Sequence, residues 1–199
     1  MKKLILACLM MIAPVLAKAQ ANIYSTGSTV AGIRDFREVL RGTLYRGGAN
    51  NGQAPLNSAQ LRAMCERNMG VSVYLYNKGF SDPGPISCGQ GQMVYATKMW
   101  SRDAAVAEVL QAIYNSIITG GKPVFIHCWY GIHATGMVAA MALMQFCDVN
   151  AETAVNYWKV GIAPALQYPH VIEKIRSFRP IQNLRITDQA TKNRICPQM

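Results

Sequence analysis

The chain has 199 residues, of which 51% are hydrophobic and 15% charged, so it is long enough for one ordinary domain with a real core. Its formal net charge is +10, and no internal repeat, low-complexity tract or linker-like stretch divides it. A basic balance without a long basic run argues against nucleic acid and suits an anionic partner, although most single lysines read as a solvated surface.

The opening MKKLILACLMMIAPVLAKAQ has two lysines, an apolar run broken by Pro14, and Ala17-Lys18-Ala19. This is the plan of a secretory signal peptide over 1–19, cut after Ala19. The run is too short for a membrane span, which needs about 18 apolar residues. Cys8 lies too early in it to mark a lipoprotein site. A periplasmic or secreted protein is expected, without a membrane-spanning helix. Removing 1–19 takes three lysines and no acid, so the exported chain stays basic.

Residues 20–32, rich in small and polar side chains, read as a flexible lead-in, and 33–199 as the folded domain. Phe36, Val39, Leu40, Leu44 and Tyr45 precede an expected turn at Gly47-Gly48. LNSAQLRAMCERNMG has helix marks: Asn57 or Ser58 as cap, Leu61, Met64 and Cys65 on one face, and Gly70 as stop. VSVYLY (71–76) is a buried strand, and NKGFSDPGPISCGQGQ a loop punctuated by Pro83, Gly84 and Pro85. MVYATKMW is a further strand, followed by a helix from a Ser101 cap to Gly120-Gly121. PVFIHC is the next strand, 134–146 an almost wholly apolar helix, and AETAVNYWKVG and YPHVIEKIRSF two more helices. Strands alternating with helices predict an α/β sandwich on a mostly parallel central sheet. Ligands of such sheets sit at the carboxyl ends of strands, where Cys128 stands.

After 1–19 is removed, five cysteines remain. An odd number in an oxidising compartment implies two bridges and one thiol. With Cys128 as the thiol, Cys65 pairs with Cys88 and Cys147 with Cys196; other pairings stay open on sequence alone.

Within VFIHCWYGIHATGMVAA, a strand ends on His127-Cys128, a loop with Gly131 follows, and a helix begins at once. Loop amides and a helix N-terminus form an anion-binding concavity, and the same field favours a thiolate. This pattern resembles the cysteine-dependent dual-specificity and tyrosine phosphatase superfamily. His127, Cys128, Gly131, Thr135 and Gly136 match its loop in register, and the order of elements over roughly 33–180 is similar. The resemblance implies the phosphatase fold, Cys128 as nucleophile, His127 as an orienting group and Thr135 as a hydroxyl beside the sulfur. It also implies an anion cradle over Trp129, Tyr130, Gly131, Ile132, His133 and Ala134, and an aspartic acid that protonates the leaving group. Asp103 is the first candidate for that acid and Asp82 the second; Asp103 reads equally as a helix first-turn acid.

One departure is plain. Six positions after Cys128, where the family has an arginine that forks onto phosphate, stands Ala134. Losing such a donor costs about 3 kcal/mol or more. Arg102, Lys98 and Arg46 are candidate substitute cations, Arg46 also reading as a salt-bridged structural residue. His133 reads as a solvent-facing loop histidine or as a partial substitute. No cofactor is expected, and the three histidines lack metal-ligand spacing. Two functions remain open: an exported thiol-dependent hydrolase acting on a phosphorylated or other anionic ligand, and an impaired pseudophosphatase serving as binding module or scaffold. The oligomeric state is not legible.

Overall fold

A computed structural model describes residues 28–49, 54–76, 84–160, 162–163 and 166–198. The signal-peptide reading, the first part of the lead-in and Asp82 lie outside the described residues.

Seven strands form one sheet: β1 (Ser28–Val30), β2 (Ile33–Leu40), β3 (Leu44–Gly48), β4 (Val71–Tyr74), β5 (Gly84–Cys88), β6 (Gly91–Thr97) and β7 (Val124–Cys128). Their spatial order is β1-β2-β3-β7-β4-β6-β5. The four central strands, β3, β7, β4 and β6, run parallel, with antiparallel pairs at both edges. The sheet is therefore mixed rather than mostly parallel, because short hairpins extend both margins while helical crossovers build the middle.

The helices are α1 (Ser58–Glu66), α2 (Asp103–Thr119), α3 (His133–Cys147), α4 (Ala151–Lys159), α5 (Pro169–Ser177) and α6 (Gln189–Ile195). Asn57 caps α1 in a capping box with Gln60, satisfying two first-turn amides. Gly120, at φ 60°, ends α2 in the left-handed conformation that costs glycine least. α2 starts one residue later than its expected Ser101 cap; Arg102 occupies the cap position and gives no side-chain bond.

Three local expectations are corrected. Ser28–Val30 pairs antiparallel with β2 instead of trailing free. Gly47 and Gly48 end β3 rather than making a turn; their missing side chains admit a neighbouring backbone. Gly84–Cys88, expected as loop, is an outer strand joined to β6 through Gly89-Gln90. Proline is tolerated there because the strand lies at the sheet edge.

The two sheet faces bury separate cores. Val124, Ile126 and Cys128 of β7 join the larger cluster with α2, α3, α4 and α5. Phe125 joins the smaller cluster with Ala63 and Met64 of α1, Tyr74 and Tyr95. Strand periodicity thus sends the two residues of the His127-Cys128 pair to opposite faces. α3 is buried along nearly its whole length, which explains why its sequence is apolar all round. Cys65–Cys88 ties α1 to β5, and Cys147–Cys196 ties the end of α3 to the end of α6. Both pairings follow the expectation made with Cys128 as the thiol. Bonds of this kind persist in an oxidising compartment. Among the described residues, no helix is long and apolar enough to cross a membrane.

Candidate functional site

Cys128 closes β7, and α3 begins after four intervening residues, at His133. The connecting loop is seated by glycine on glycine. Gly131 has φ 76°, and a Cβ on it would come within 2.6 Å of Gly47 C and Gly48 N. A Cβ on Gly48 would overlap the backbone of Tyr130 and Gly131. Glycine at both 48 and 131 lets the loop rest directly on the end of β3.

Arg46 fastens the loop from behind. Its Nη2 donates to Gly131 O at 2.6 Å and to Ile132 O at 3.4 Å, and its Nη1 donates to Tyr157 Oη at 3.1 Å. The side chain is 2% exposed. Arg46 therefore acts as a buried structural arginine and does not line the thiol cleft. Trp158 Nε1 donates to His133 O and holds the start of α3 from the α4 side. The first α-helical bond of α3 runs from Gly136 N–H to Ile132 O. The amides of His133, Ala134 and Thr135 thus have no intrahelical partner and leave donors free at the positive end of the helix dipole.

Cys128 is buried and free, the one described cysteine outside both disulfides. It forms part of a cleft of about 580 Å³ whose walls include Tyr76, Trp100, Trp129, Tyr130, Tyr168 and two histidines, His133 and His170. Among the described residues, these walls hold no aspartate, glutamate, lysine or arginine. The Tyr76 phenol is bonded to Trp100 and is pushed up from its ordinary pKa, first by burial and then by the Cys128 sulfur, so it stands by the thiol as a neutral donor. His133 is half-buried, not solvent-facing: its Nε2 lies 3.0 Å from Leu166 O and its ring 4.7 Å from that of Tyr168. Burial, and to a smaller extent His170, lowers its pKa against the opposing Leu166 carbonyl, leaving it uncharged at neutral pH.

His127 is on the other face of the sheet. Its ring stacks on Phe125 and Tyr74, with centroids 5.6 and 5.0 Å away. Tyr95 Oη accepts the Leu56 N–H at 2.7 Å and lies 2.9 Å from His127 Nε2. Burial pushes His127 down to about 3, with the Cys128 backbone opposing weakly. The ring is neutral, and its Nε2 shares one hydrogen bond with the Tyr95 hydroxyl. The expected orienting role reaches the loop only through the strand backbone.

Thr135 is fully buried in the first turn of α3, and its Oγ1 has no partner among the described residues. Ala134 is 1% exposed and belongs to the core. Asp103 opens α2, pairs with Lys174 at 2.6 Å and lines a neighbouring cleft of about 640 Å³ rather than that of Cys128. Lys98 pairs with Glu108, and Arg102 is exposed beyond the cleft walls. The structure thus brings Cys128, Trp129, Tyr130, Ile132 and His133 together and leaves the candidate acid and all three substitute cations outside. Tyr76, Trp100, Tyr168 and His170 were not expected; they come from segments distant in sequence, with the aromatic and histidine content of 168–170 as their one advance signal. No group of three metal-ligating side chains occurs among the described residues.

No family model matches the sequence, and no curated protein matches it. Solved structures do. PTPMT1 is 14% identical with a TM-score of 0.50, covering 71% of this chain and 93% of that one. PTPMT1 in complex with PI(5)P gives 14%, 0.50, 71% and 94%. TpbA of P. aeruginosa is 21% identical with a TM-score of 0.46, covering 75% of this chain and 92% of that one. The chain has the α/β fold of the dual-specificity phosphatases.

Proposed function

We propose that this chain is an exported protein of dual-specificity-phosphatase fold that holds an anionic ligand over the Cys128 thiol and turns over phosphate esters far more slowly than a loop that has its arginine. The observation that carries this reading is the state of Cys128: four cysteines are consumed in two disulfides, and the fifth stays a thiol at the root of α3, inside a cleft.

Phosphoryl transfer to this sulfur requires three things. The sulfur attacks phosphorus, donors neutralise the equatorial oxygens, and the leaving oxygen takes a proton. The unbonded α3 amides and the Tyr76 hydroxyl supply neutral donors for the oxygens, and the Thr135 hydroxyl is a buried donor without a fixed partner. The guanidinium is absent at Ala134, and Asp103 faces elsewhere. Each deficit removes roughly a hundredfold or more in rate. The aromatic walls favour a ligand with a flat apolar body and one anionic group over a multiply phosphorylated one. Both disulfides accord with export.

The absence of charged side chains among the described residues of the cleft walls favours a second reading, in which the site binds and never turns over. Hydrolysis of an aryl phosphate, followed with mass spectrometry of Cys128, separates the two. Slow turnover abolished by Cys128→Ser and raised by Ala134→Arg supports thiol chemistry. Binding with no adduct and no turnover assigns a pseudophosphatase. Ordinary turnover in the unaltered protein would overturn the account of the missing arginine.

A further inference from the structure

The loop has a second wall. On its reverse side lies a cleft of about 220 Å³ formed by Arg34, Asp35, Arg37 and Arg46 with Tyr130 and Ile132 of the loop. Tyr130 and Ile132 also wall the thiol cleft, whereas Cys128 does not reach this one. A register shift in β2 between Arg34 and Arg37, with Asp35 at φ 54°, breaks the strand alternation and turns neighbouring residues toward one hollow.

Charge in this hollow is out of balance. Arg37 is bonded to Asp35, and Arg46 Nη2 lies 3.9 Å from the same carboxylate. Three guanidinium groups thus meet one carboxylate. Arg37 is held below its ordinary pKa, first by burial and next by the Arg46 charge. The Nε N–H groups of both Arg37 and Arg46 are buried without a partner among the described residues. Buried cations are stable when paired, and buried donors when bonded. Here one carboxylate serves two largely buried guanidinium groups, and two buried Nε donors stay unbonded among the described residues.

We propose that the cleft binds a doubly charged tetrahedral oxyanion, either free or as the terminal phosphoryl group of a larger ligand. Its surplus of two positive charges matches such an ion, its volume of about 220 Å³ is ample for one, and Arg34 stands exposed among its walls to meet it. The proposal is independent of any chemistry at Cys128. Because Arg46 also bonds the Gly131 and Ile132 carbonyls, an ion here braces the loop from beneath.

The test is titration of the purified protein with inorganic sulfate, inorganic phosphate and glycerol 2-phosphate at constant ionic strength, followed by calorimetry and by Trp129 fluorescence. Trp129 stacks on Tyr130 at 4.7 Å, so it reports on this wall. Saturable binding is expected, weakened about tenfold or more by Arg34→Gln or Arg37→Gln and unchanged by Cys128→Ser. Arg34 is exposed, so its variant carries the test if Arg37→Gln fails to fold. Equal affinity for the ester places the site on a terminal group of a larger ligand; preference for the inorganic ions places it on the free ion. Absence of saturation below about 10 mM, or binding lost in Cys128→Ser and kept in Arg34→Gln, overturns the proposal.

Discussion

Lowering the pH from 7.5 to 4.5 is expected to destabilise the protein chiefly through His127. The ring is fully buried between Phe125 and Tyr74, and its pKa falls from 6.5 to about 3. Between those values the unfolded chain carries a proton that the folded protein refuses, so stability drops as pH falls. Each pH unit within that window costs about 1.4 kcal/mol, so the loss from pH 6.5 to 4.5 is ~2–3 kcal/mol from this one residue. Glu152 and Asp188, whose pKa values are lowered by Arg176 and by Thr191, lose their contributions in the same direction but from their lower ordinary values, leaving pH 6.5 to 5 as a window dominated by histidine. His133 shifts the same way and is removed as a contributor by His133→Gln. Urea denaturation at half-unit pH intervals measures the slope in the unaltered protein and in His127→Gln. A flat profile between pH 6.5 and 5, or a slope that survives His127→Gln in the His133→Gln background, would refute the reasoning.

Tyr95→Phe removes the hydroxyl linking Leu56 N–H to His127 Nε2 and should cost ~1–3 kcal/mol, read as a lower urea midpoint at pH 7.5. Gly48→Ala places a methyl against the Tyr130 and Gly131 backbone. It should displace the loop and change the alkylation rate of Cys128; an unaltered rate in a folded variant would discount the glycine seat. Replacing Cys147 and Cys196 by alanine opens a link across 49 residues and should lower stability by ~4 kcal/mol. Asp103→Asn should leave residual aryl-phosphate hydrolysis within about twofold, since its carboxylate is exposed, paired with Lys174 and outside the thiol cleft; loss of the factor of about a hundred expected of a general acid would restore it to that role.

Much of the site was legible because its signals are local. A strand that ends on cysteine, a glycine needed at positive φ and a helix that starts immediately are properties of twelve or so consecutive residues, and they located the thiol, the loop and the phosphatase fold. With Cys128 as the free thiol, the two pairings suggested from sequence are those in the structure, although sequence alone left other pairings open. Even the separation of His127 from Cys128 lay within reach, since adjacent residues of a strand face opposite ways.

What lines the thiol cleft did not lie in any stretch of sequence. Tyr76 follows β4, Trp100 precedes α2, and Tyr168 and His170 come at the start of α5; only their packing places them around one sulfur. Asp103, by contrast, looks right by spacing and is wrong by direction, because the first turn of α2 aims it at Lys174. Arg46 reads in sequence either as a substitute cation or as a salt-bridged structural residue, and the parallel pairing of β3 with β7 places it beneath the loop, where carbonyls bind it. Sequence by itself determined the helices, the central strands and the position of the thiol, since backbone preference and hydrophobic period act over a few residues. Tertiary structure alone decided which side chains share a cleft and where the uncompensated charge collects, since direction and burial depend on contacts between segments far apart in the chain.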